Sequence, residues 1–433
     1  MKYNELRKKY PQFVYERYSY KISRANLEIV FYFQIQPDIF FTPKIVIENI
    51  DKKRFAKIGE RVLDNLVFHL GLMEIPSYWK ATCSPEIVIE AGYLNQRQIK
   101  WWKDLLMNGM GQYFYENKID FRQPNFLKIT NGYDQFKKIG QYKKATIVDF
   151  LPRSIYQKKL KKRVIVPIGG GKDSIVTLEL LKKRWQALHC FLVNPKKPAL
   201  ETVKISGVKN PIIVRREIDR RLLSLNNRGY LNGHTPFTAV LSFLSVFCAV
   251  LFDYKYIAFS NEKSTEEGNT NYLGKEINHQ WSKTLEFEKK FRFYSKKYLA
   301  RDVHYFSFLR SFSEIKIAKT FSQYPQYFKV FVGCNNAYKI SSKINRWCGQ
   351  CAKCLFIFLI LYPFLEEKTL NQIFGENLLD KKDLLPTLKA LIGLTKVKPF
   401  ECVGTRKESL AAFNLCKIKT RKENKQFFLL NCY

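Results

Sequence analysis

A run of three glycines followed by lysine, aspartate and serine, residues 169–174, has the composition of a phosphate-binding loop. It follows an apolar segment, residues 164–168, with the length and β-branched content of a buried parallel strand. Apolar residues then recur at helical spacing. A strand, a glycine turn and a helix in this order bring backbone N–H groups and a helix N-terminus close to an anion. We therefore predict a phosphate cradle here, and a tight turn without a ligand is the alternative.

The polar end of the loop adds groups that suit phosphate chemistry. Lys172 brings a cation, Asp173 a carboxylate that could hold a metal ion, and Ser174 a hydroxyl. The spacing differs from Walker A, which places four residues between its first glycine and its Gly-Lys pair. It resembles the Ser-Gly-Gly-x-Asp-Ser loop of the PP-loop ATP pyrophosphatases, with Gly169 in place of the usual serine. The resemblance implies that ATP is cut between its α and β phosphates, and that the nucleotide is bound by Gly169, Gly170, Gly171, Lys172, Asp173 and Ser174.

Four of the ten cysteines are spaced like the ligands of a metal ion. Three of them follow one another with two residues between neighbours, and the fourth lies 14 residues upstream. Thiolates suit tetrahedral Zn²⁺, and four of them leave no coordination position open for catalysis. We predict a structural zinc site, with an iron–sulfur cluster as the alternative. Its ligands would be Cys334, Cys348, Cys351 and Cys354.

The composition is that of a globular protein of two or three domains, with 433 residues, of which 46% are hydrophobic and 15% aromatic. The net charge of +36 would suit nucleic acid, a membrane surface or a polyanionic substrate. The lysines are scattered, however, so nucleic acid is a possible partner that we do not favour. No apolar signal segment opens the chain, and the apolar residues 236–252 are expected to form a buried helix. We therefore predict no transmembrane segment and a reducing, cytoplasmic location.

The order of elements predicts an α/β fold with a doubly wound parallel sheet. The PP-loop resemblance implies that this sheet is of the PP-loop or HUP-like kind. From residue 164 strands alternate with helices, and further strands are expected at 187–193, 211–214, 256–260 and 327–332. Residues 1–150 are expected to form an N-terminal α+β domain, a candidate for substrate binding. Residues 151–433 would be the ATP-binding catalytic domain, with the four-cysteine site and a helical C-terminal part.

Polar residues stand where the predicted strands end, which is where such sheets bind ligands. Asn194 follows the second strand, at the position where the PP-loop resemblance implies contacts to adenine. Glu262 follows the fourth strand.

Two histidines and a further glutamate lie in the intervening segments. His234 precedes Thr235, the predicted cap of the apolar helix, and could act as a general base or a phosphate contact. A plain capping loop is the alternative. His279 lies in a polar stretch that suits either a substrate-facing loop or a solvated face, and Glu314 enters a helix after Ser313.

Several motifs in the same order resemble the UDP-N-acetyl-α-D-muramoyl-L-alanyl-L-glutamate epimerases, which invert the terminal glutamate of a peptidoglycan precursor with ATP and Mg²⁺. The likeness is dense from about residue 150 to 410. Besides the loop and the four cysteines, the motifs are Asn-Gly-His-Thr-Pro (232–236), Ser-Asn-Glu (260–262), Asn-His-Gln (278–280) and Lys-Pro-Phe-Glu-Cys-Val-Gly (398–404). The resemblance implies a UDP-muramyl dipeptide as substrate.

The chemistry of such an inversion is coherent with these residues. Removing the α-proton beside a carboxylate would put two negative charges on one enediolate, and an acyl-adenylate removes the first of them. We expect Lys172 and Mg²⁺, held by Asp173, to stabilise charge during this activation. The base and acid candidates are, in falling order, His234, His279, Glu262 and Glu314. The alternatives are a PP-loop enzyme that adenylates tRNA or a nucleoside, and a non-catalytic nucleotide- or RNA-binding protein.

Overall fold

The fold is built on one large mixed β-sheet. The computed structural model describes residues 2–132, 154–338 and 345–432, and within these ranges eleven strands join the sheet and two more form a separate hairpin. In chain order the strands are β1 (Gln12–Ser23), β2 (Asn26–Ile35), β3 (Ile39–Phe41), β4 (Lys44–Ile47), β5 (Glu86–Ile89), β6 (Lys128–Asn131), β7 (Val164–Pro167), β8 (Leu188–Val193), β9 (Ile212–Glu217), β10 (Tyr256–Phe259), β11 (Thr270–Tyr272), β12 (Lys275–Ile277) and β13 (His304–Ser307).

Helices connect most of these strands. In chain order they are α1 (Tyr3–Lys9), α2 (Lys52–Ile58), α3 (Glu60–Trp79), α4 (Gln96–Gly109), α5 (Gly111–Glu116), α6 (Lys172–Lys182), α7 (Lys197–Ser206), α8 (Arg220–Asn227), α9 (Phe237–Phe252), α10 (Leu285–Tyr298), α11 (Glu314–Phe321), α12 (Asn335–Tyr338), α13 (Ala352–Leu361), α14 (Glu367–Phe374), α15 (Leu385–Leu391), α16 (Arg406–Lys422) and α17 (Phe428–Asn431).

The second half of the sheet is parallel and doubly wound, as predicted. Its strand order is β9-β8-β7-β10-β13, and every neighbouring pair in it runs parallel. Successive residues of β7 point to opposite faces of the sheet. Val164 and Val166 belong to the hydrophobic cluster on one face, and Ile165 belongs to a different hydrophobic cluster on the opposite face. Each face is therefore covered, which explains the continuous apolar run of this strand.

The N-terminal strands extend the same sheet. β4 pairs antiparallel with β9, and through it β2, β1, β5 and β6 follow in one continuous order. Residue 150 lies outside the described residues, so the division into two domains near that position stays a prediction.

Two local predictions were wrong. Residues 327–332 are not a strand, because a 3₁₀ helix at Pro325–Tyr327 is followed by turns in which Val330 and Phe331 both donate to the carbonyl of Tyr327. The aromatic side chains of this segment are buried because they pack in a hydrophobic cluster, not because the segment pairs with a strand. The outermost parallel strand of the sheet is β13 instead.

The apolar run 236–252 forms the buried helix α9, but Thr235 is not its cap. Pro236 occupies the cap position, and no side chain caps the helix. Of the helices in the described ranges, none combines the length and apolar character needed to cross a membrane.

Candidate active site

A cavity of about 460 Å³ opens at the carboxyl ends of β7, β8 and β10. This is the crevice where the strand order reverses, the usual ligand site of an open parallel sheet. It brings together residues far apart in the chain, because parallel strands end at the same edge. From the predicted set, its walls include Gly169, Gly171, Asp173, Ser174, Asn194, His234, Glu262 and His279.

The glycine loop leads from β7 into α6 beneath this cavity. Gly170 has φ +84°, and a Cβ there would lie 3.0 Å from the backbone nitrogen of Ala199, so glycine is required. The loop is held from outside by two hydrogen bonds: Val332 N–H donates to the Gly170 carbonyl at 2.9 Å, and the Tyr338 hydroxyl donates to the Gly169 carbonyl at 2.6 Å. The open N-terminus of α6 thus faces the cavity, where an anion would be stabilised.

A buried ion-pair cluster lies beside the loop. Lys172, with only 2% of its side chain exposed, donates to Asp173 and, at 2.5 Å, to Glu314, which is 1% exposed. The Ser264 hydroxyl lies 3.2 Å from Glu262 and 3.4 Å from Glu314, and so links the two glutamates.

The charges of this cluster influence one another. Burial opposes the charge on Lys172, but the carboxylates of Asp173 and Glu314 outweigh it and hold the pKa of the lysine above its ordinary value. Burial, together with the neighbouring acids, raises the pKa of Glu314 to about 7, and it also raises the pKa of Glu262. For Asp173, Lys172 outweighs burial and lowers the pKa of the carboxyl. Carboxyl groups with raised and with lowered pKa values therefore lie side by side.

The two predicted histidines meet on another wall. Their ring centroids are 5.9 Å apart, although 45 positions separate them in the chain. Burial, and then neighbouring cationic groups, lowers the pKa of both His234 and His279 to about 3, so both rings are neutral near pH 7. Among the described residues, His234 Nε2 has no hydrogen-bond partner.

Two further residues of this wall were missed from the sequence. Lys283 and Cys402 line the cavity, and the lysine Nζ lies 3.1 Å from the cysteine Sγ. Cys402 stands within the motif at 398–404 but outside the four-cysteine set, and its distance from Lys283 in the chain gives no signal that the two residues meet.

Family models cover most of the chain. One described as the MurL N-terminal domain matches residues 4–308, and one described as the MurL C-terminal domain matches residues 330–431. The UDP-N-acetyl-alpha-D-muramoyl-L-alanyl-L-glutamate epimerase of a Micromonospora species is 35% identical, over 83% of this chain and 75% of its own. The chain belongs to this epimerase family.

Other relatives carry the same name. The epimerase of Salinispora tropica is 34% identical over 84% of this chain and 74% of its own length. The epimerase of Xanthomonas oryzae is 32% identical over 79% of this chain and 72% of its own length. Among solved structures, a chain described as a predicted subunit of tRNA methyltransferase from Methanocaldococcus jannaschii matches at 17% identity, over 37% of this chain and 75% of that one. Its TM-score is 0.23, and a likeness this weak carries no argument.

In this member of the epimerase family the four predicted cysteines form one cluster. All four Sγ atoms lie within 4.8 Å of one another. The Sγ–Sγ distance is 3.8 Å for Cys334 and Cys351, and 3.6 Å both for Cys348 and Cys354 and for Cys351 and Cys354. A tetrahedron with metal–sulfur bonds of about 2.3 Å has edges of about 3.8 Å, so the donor set fits a single metal ion.

The cysteine cluster is tied to the cavity from two sides. Cys334 begins the segment whose Tyr338 holds the glycine loop. On the other side, Lys353 donates through its backbone N–H to the Glu401 carboxylate at 2.8 Å and through Nζ to the Cys402 carbonyl. The four-cysteine cluster thus connects the glycine-loop end of the crevice to the motif at 398–404.

Asn194 lines the cavity, but its side chain is already engaged. The amide donates to the Arg216 carbonyl and accepts from the Arg216 N–H, both at 2.7 Å. The predicted contact of this residue with adenine therefore stays a prediction.

Proposed function

We propose that this chain inverts the terminal L-glutamate of UDP-N-acetylmuramoyl-L-alanyl-L-glutamate to D-glutamate, in an ATP-dependent reaction that passes through an acyl-adenylate. The observation that carries the proposal is one cavity lined both by residues of the glycine loop, whose Asp173 is paired with buried Lys172, and by the neutral imidazoles of His234 and His279. Membership of the epimerase family supports the choice of substrate.

At the loop end, the proposal assigns ATP activation to residues 169–174. Backbone N–H groups of the loop and α6 would bind the pyrophosphate, and Lys172 would offset the charge that develops as AMP is transferred to the substrate carboxylate. Asp173 fits Mg²⁺, because it lines the cavity and carboxylate oxygens are preferred ligands of that ion. Mg²⁺ would supply further charge neutralisation on the phosphates.

To the histidines and Glu262, which line the same cavity, the proposal assigns proton transfer at Cα. His234 and His279 line the cavity as neutral rings, and Glu262 lines it as a carboxyl group with a raised pKa. Glu314 is bound to Lys172 and is better suited to hold that lysine than to reach the substrate. Adenylation makes this step feasible, because it removes the carboxylate charge before the α-proton leaves.

The four cysteines are proposed to hold a structural Zn²⁺. Sulfur separations of 3.6 to 3.8 Å support a single ion, since an iron–sulfur cluster distributes its thiolates over several metal atoms and needs wider spacing. The cytoplasmic location stays a prediction, which the nucleotide-linked substrate supports.

The test is AMP formation that depends on UDP-N-acetylmuramoyl-L-alanyl-L-glutamate, combined with chiral analysis of the released glutamate. We expect AMP and D-glutamate to appear together, and Lys172→Ala to abolish AMP release. An active Lys172→Ala variant would contradict the loop assignment. AMP formation that instead depends on added tRNA would contradict the epimerase proposal.

A further inference from the structure

Cys402 is the reactive side chain of the cavity that the ATP chemistry above leaves without a role. Its thiol lines the cavity wall and is only partly exposed. Lys283 Nζ lies 3.1 Å from its Sγ, and His279 Nε2 lies 3.8 Å from the same atom. A thiolate formed at this position would have the Lys283 ammonium group as its charged partner.

The hydrogen bonds around His279 determine which ring nitrogen faces the thiol. The Asn269 amide donates through Nδ2 to the Pro399 carbonyl at 2.8 Å, so its Oδ1 is the atom that points at the histidine. Oδ1 accepts from both the His279 backbone N–H and Nδ1, each at 3.0 Å. Because Oδ1 can only accept, Nδ1 carries the proton and Nε2 presents a lone pair to Cys402.

The backbone of Cys402 is also held in place. Lys353 Nζ donates to its carbonyl, the backbone N–H of Lys353 binds the Glu401 carboxylate, and the Lys398 N–H donates to the Asn269 carbonyl at 2.9 Å. The thiol is therefore fixed relative to the imidazole and the ammonium group, as a catalytic side chain must be.

We propose that Cys402 is the general base that removes the α-proton of the activated glutamate, with Lys283 as its counter-ion and His279 as a positioning residue. This inference rests on the proposed function. In the step, the Cα–H bond breaks, an S–H bond forms, and the electron pair moves onto the acyl carbonyl oxygen of the adenylate. A proton then returns to the opposite face from a separate acid, for which Glu262 is the candidate that lines the cavity.

The charges around the thiol agree with this role. Burial acts to lower the pKa of Lys283, but the negative charges of Cys402 and Glu262 outweigh burial and raise that pKa. The lysine therefore stays cationic beside the sulfur. The low pKa of His279 keeps that ring neutral, and it therefore does not compete with Lys283 for the positive charge. Glu314, in contrast, is paired with Lys172.

The experiment separates activation from proton transfer. In ²H₂O we expect Cys402→Ser to retain substrate-dependent AMP release while inversion and deuterium incorporation at Cα fall at least about 100-fold. Cys432→Ser, which changes a partly exposed cysteine outside the cavity, should behave like the unmodified protein. Unchanged deuterium incorporation in Cys402→Ser, or an equal loss of AMP release and inversion, would overturn the proposal.

A second measurement does not depend on turnover. Iodoacetamide should alkylate Cys402 faster than Cys432 in the unmodified protein, as mapped by peptide mass spectrometry, and Lys283→Met should slow the reaction at Cys402 at least about tenfold. Equal rates at the two cysteines would overturn the thiolate assignment. If the unmodified protein released no AMP with the muramyl dipeptide, the proposed function would fail, while the alkylation result would still report on Cys402.

Discussion

At the scale of single residues, the cavity combines groups whose charges are set by burial. Lys172 is kept cationic by adjacent carboxylates, whereas burial, followed by neighbouring cationic groups, keeps His234 and His279 neutral. Burial thus has opposite outcomes: the lysine stays charged because it is paired with carboxylates, whereas the histidines stay uncharged because their charged neighbours are cationic.

The neutral histidines make folding stability depend on pH. Each has a folded-state pKa of about 3 against an ordinary value of 6.5, so in mild acid the unfolded chain binds protons that the folded chain excludes. Stability should therefore fall as the pH drops from 6.5 towards 3. When the pH falls from 6 to 5, the free energy of unfolding of His279→Gln, measured with urea, should decrease by about 1 kcal/mol less than that of the unmodified protein. His304→Gln, which removes an exposed ring, should retain most of the pH dependence of the unfolding free energy. If His279→Gln showed the same pH dependence as the unmodified protein, the buried neutral histidine would not be its cause.

The glycines of the loop should differ in their tolerance of a side chain. At Gly170, φ is +84° and a Cβ would meet the Tyr338 hydroxyl at 2.9 Å, so Gly170→Ala should raise the KM for ATP about tenfold, for a strain of about 1–2 kcal/mol. At Gly169 a Cβ would meet no atom within 4 Å, and φ lies outside the left-handed region. Gly169→Ser should therefore leave KM for ATP and the melting temperature nearly unchanged. Similar KM values for the two variants would contradict this reading of the loop.

At the scale of elements, α13 and the segment of Cys334 act as supports for the crevice. The segment binds the glycine loop through Val332 and Tyr338, and the start of α13 binds residues 401 and 402 through Lys353. The cysteines therefore connect elements that the sheet itself does not hold together.

Loss of the metal should loosen both contacts. We expect Cys354→Ser to abolish bound zinc, measured by elemental analysis, to lower the melting temperature and to reduce AMP release at least about tenfold. Cys416→Ser changes a buried thiol that donates to the Leu359 carbonyl outside the cluster, and this variant should keep its zinc. A metal-free Cys354→Ser protein with full activity would show that the cluster does not support the cavity.

At the scale of the whole molecule, the two halves share one sheet and one core. The β4–β9 pairing joins them edge to edge, and α3 of the first half packs against α9 of the second. Lys80 Nζ and the Asn117 side chain also bind the carbonyls of Gly233 and Asn232, so the N-terminal half steadies the segment that carries His234.

We expect the full chain to unfold in a single calorimetric transition and residues 154–433 alone to be insoluble or without a cooperative transition. The reason is that the fragment exposes the edge of β9 and the apolar face of α9 that α3 covers. Coexpression of residues 1–153 with 154–433 is the matched control and should restore a soluble complex. A fragment that melts cooperatively and forms AMP would instead support an independent catalytic domain.

The sequence alone determined the local motifs and the class of the fold. Glycine content and strand–helix periodicity are local properties, so the loop at 169–174, the four cysteines and the parallel sheet were predictable, and so was the family. Which polar residues meet depends on how the chain folds in three dimensions. The placement of Cys402 beside Lys283 and His279 depends on long-range packing through Asn269 and Lys353, and such contacts leave no periodic signal in the chain. The false strand at 327–332 has the same cause, because burial by packing and burial by pairing select the same apolar residues.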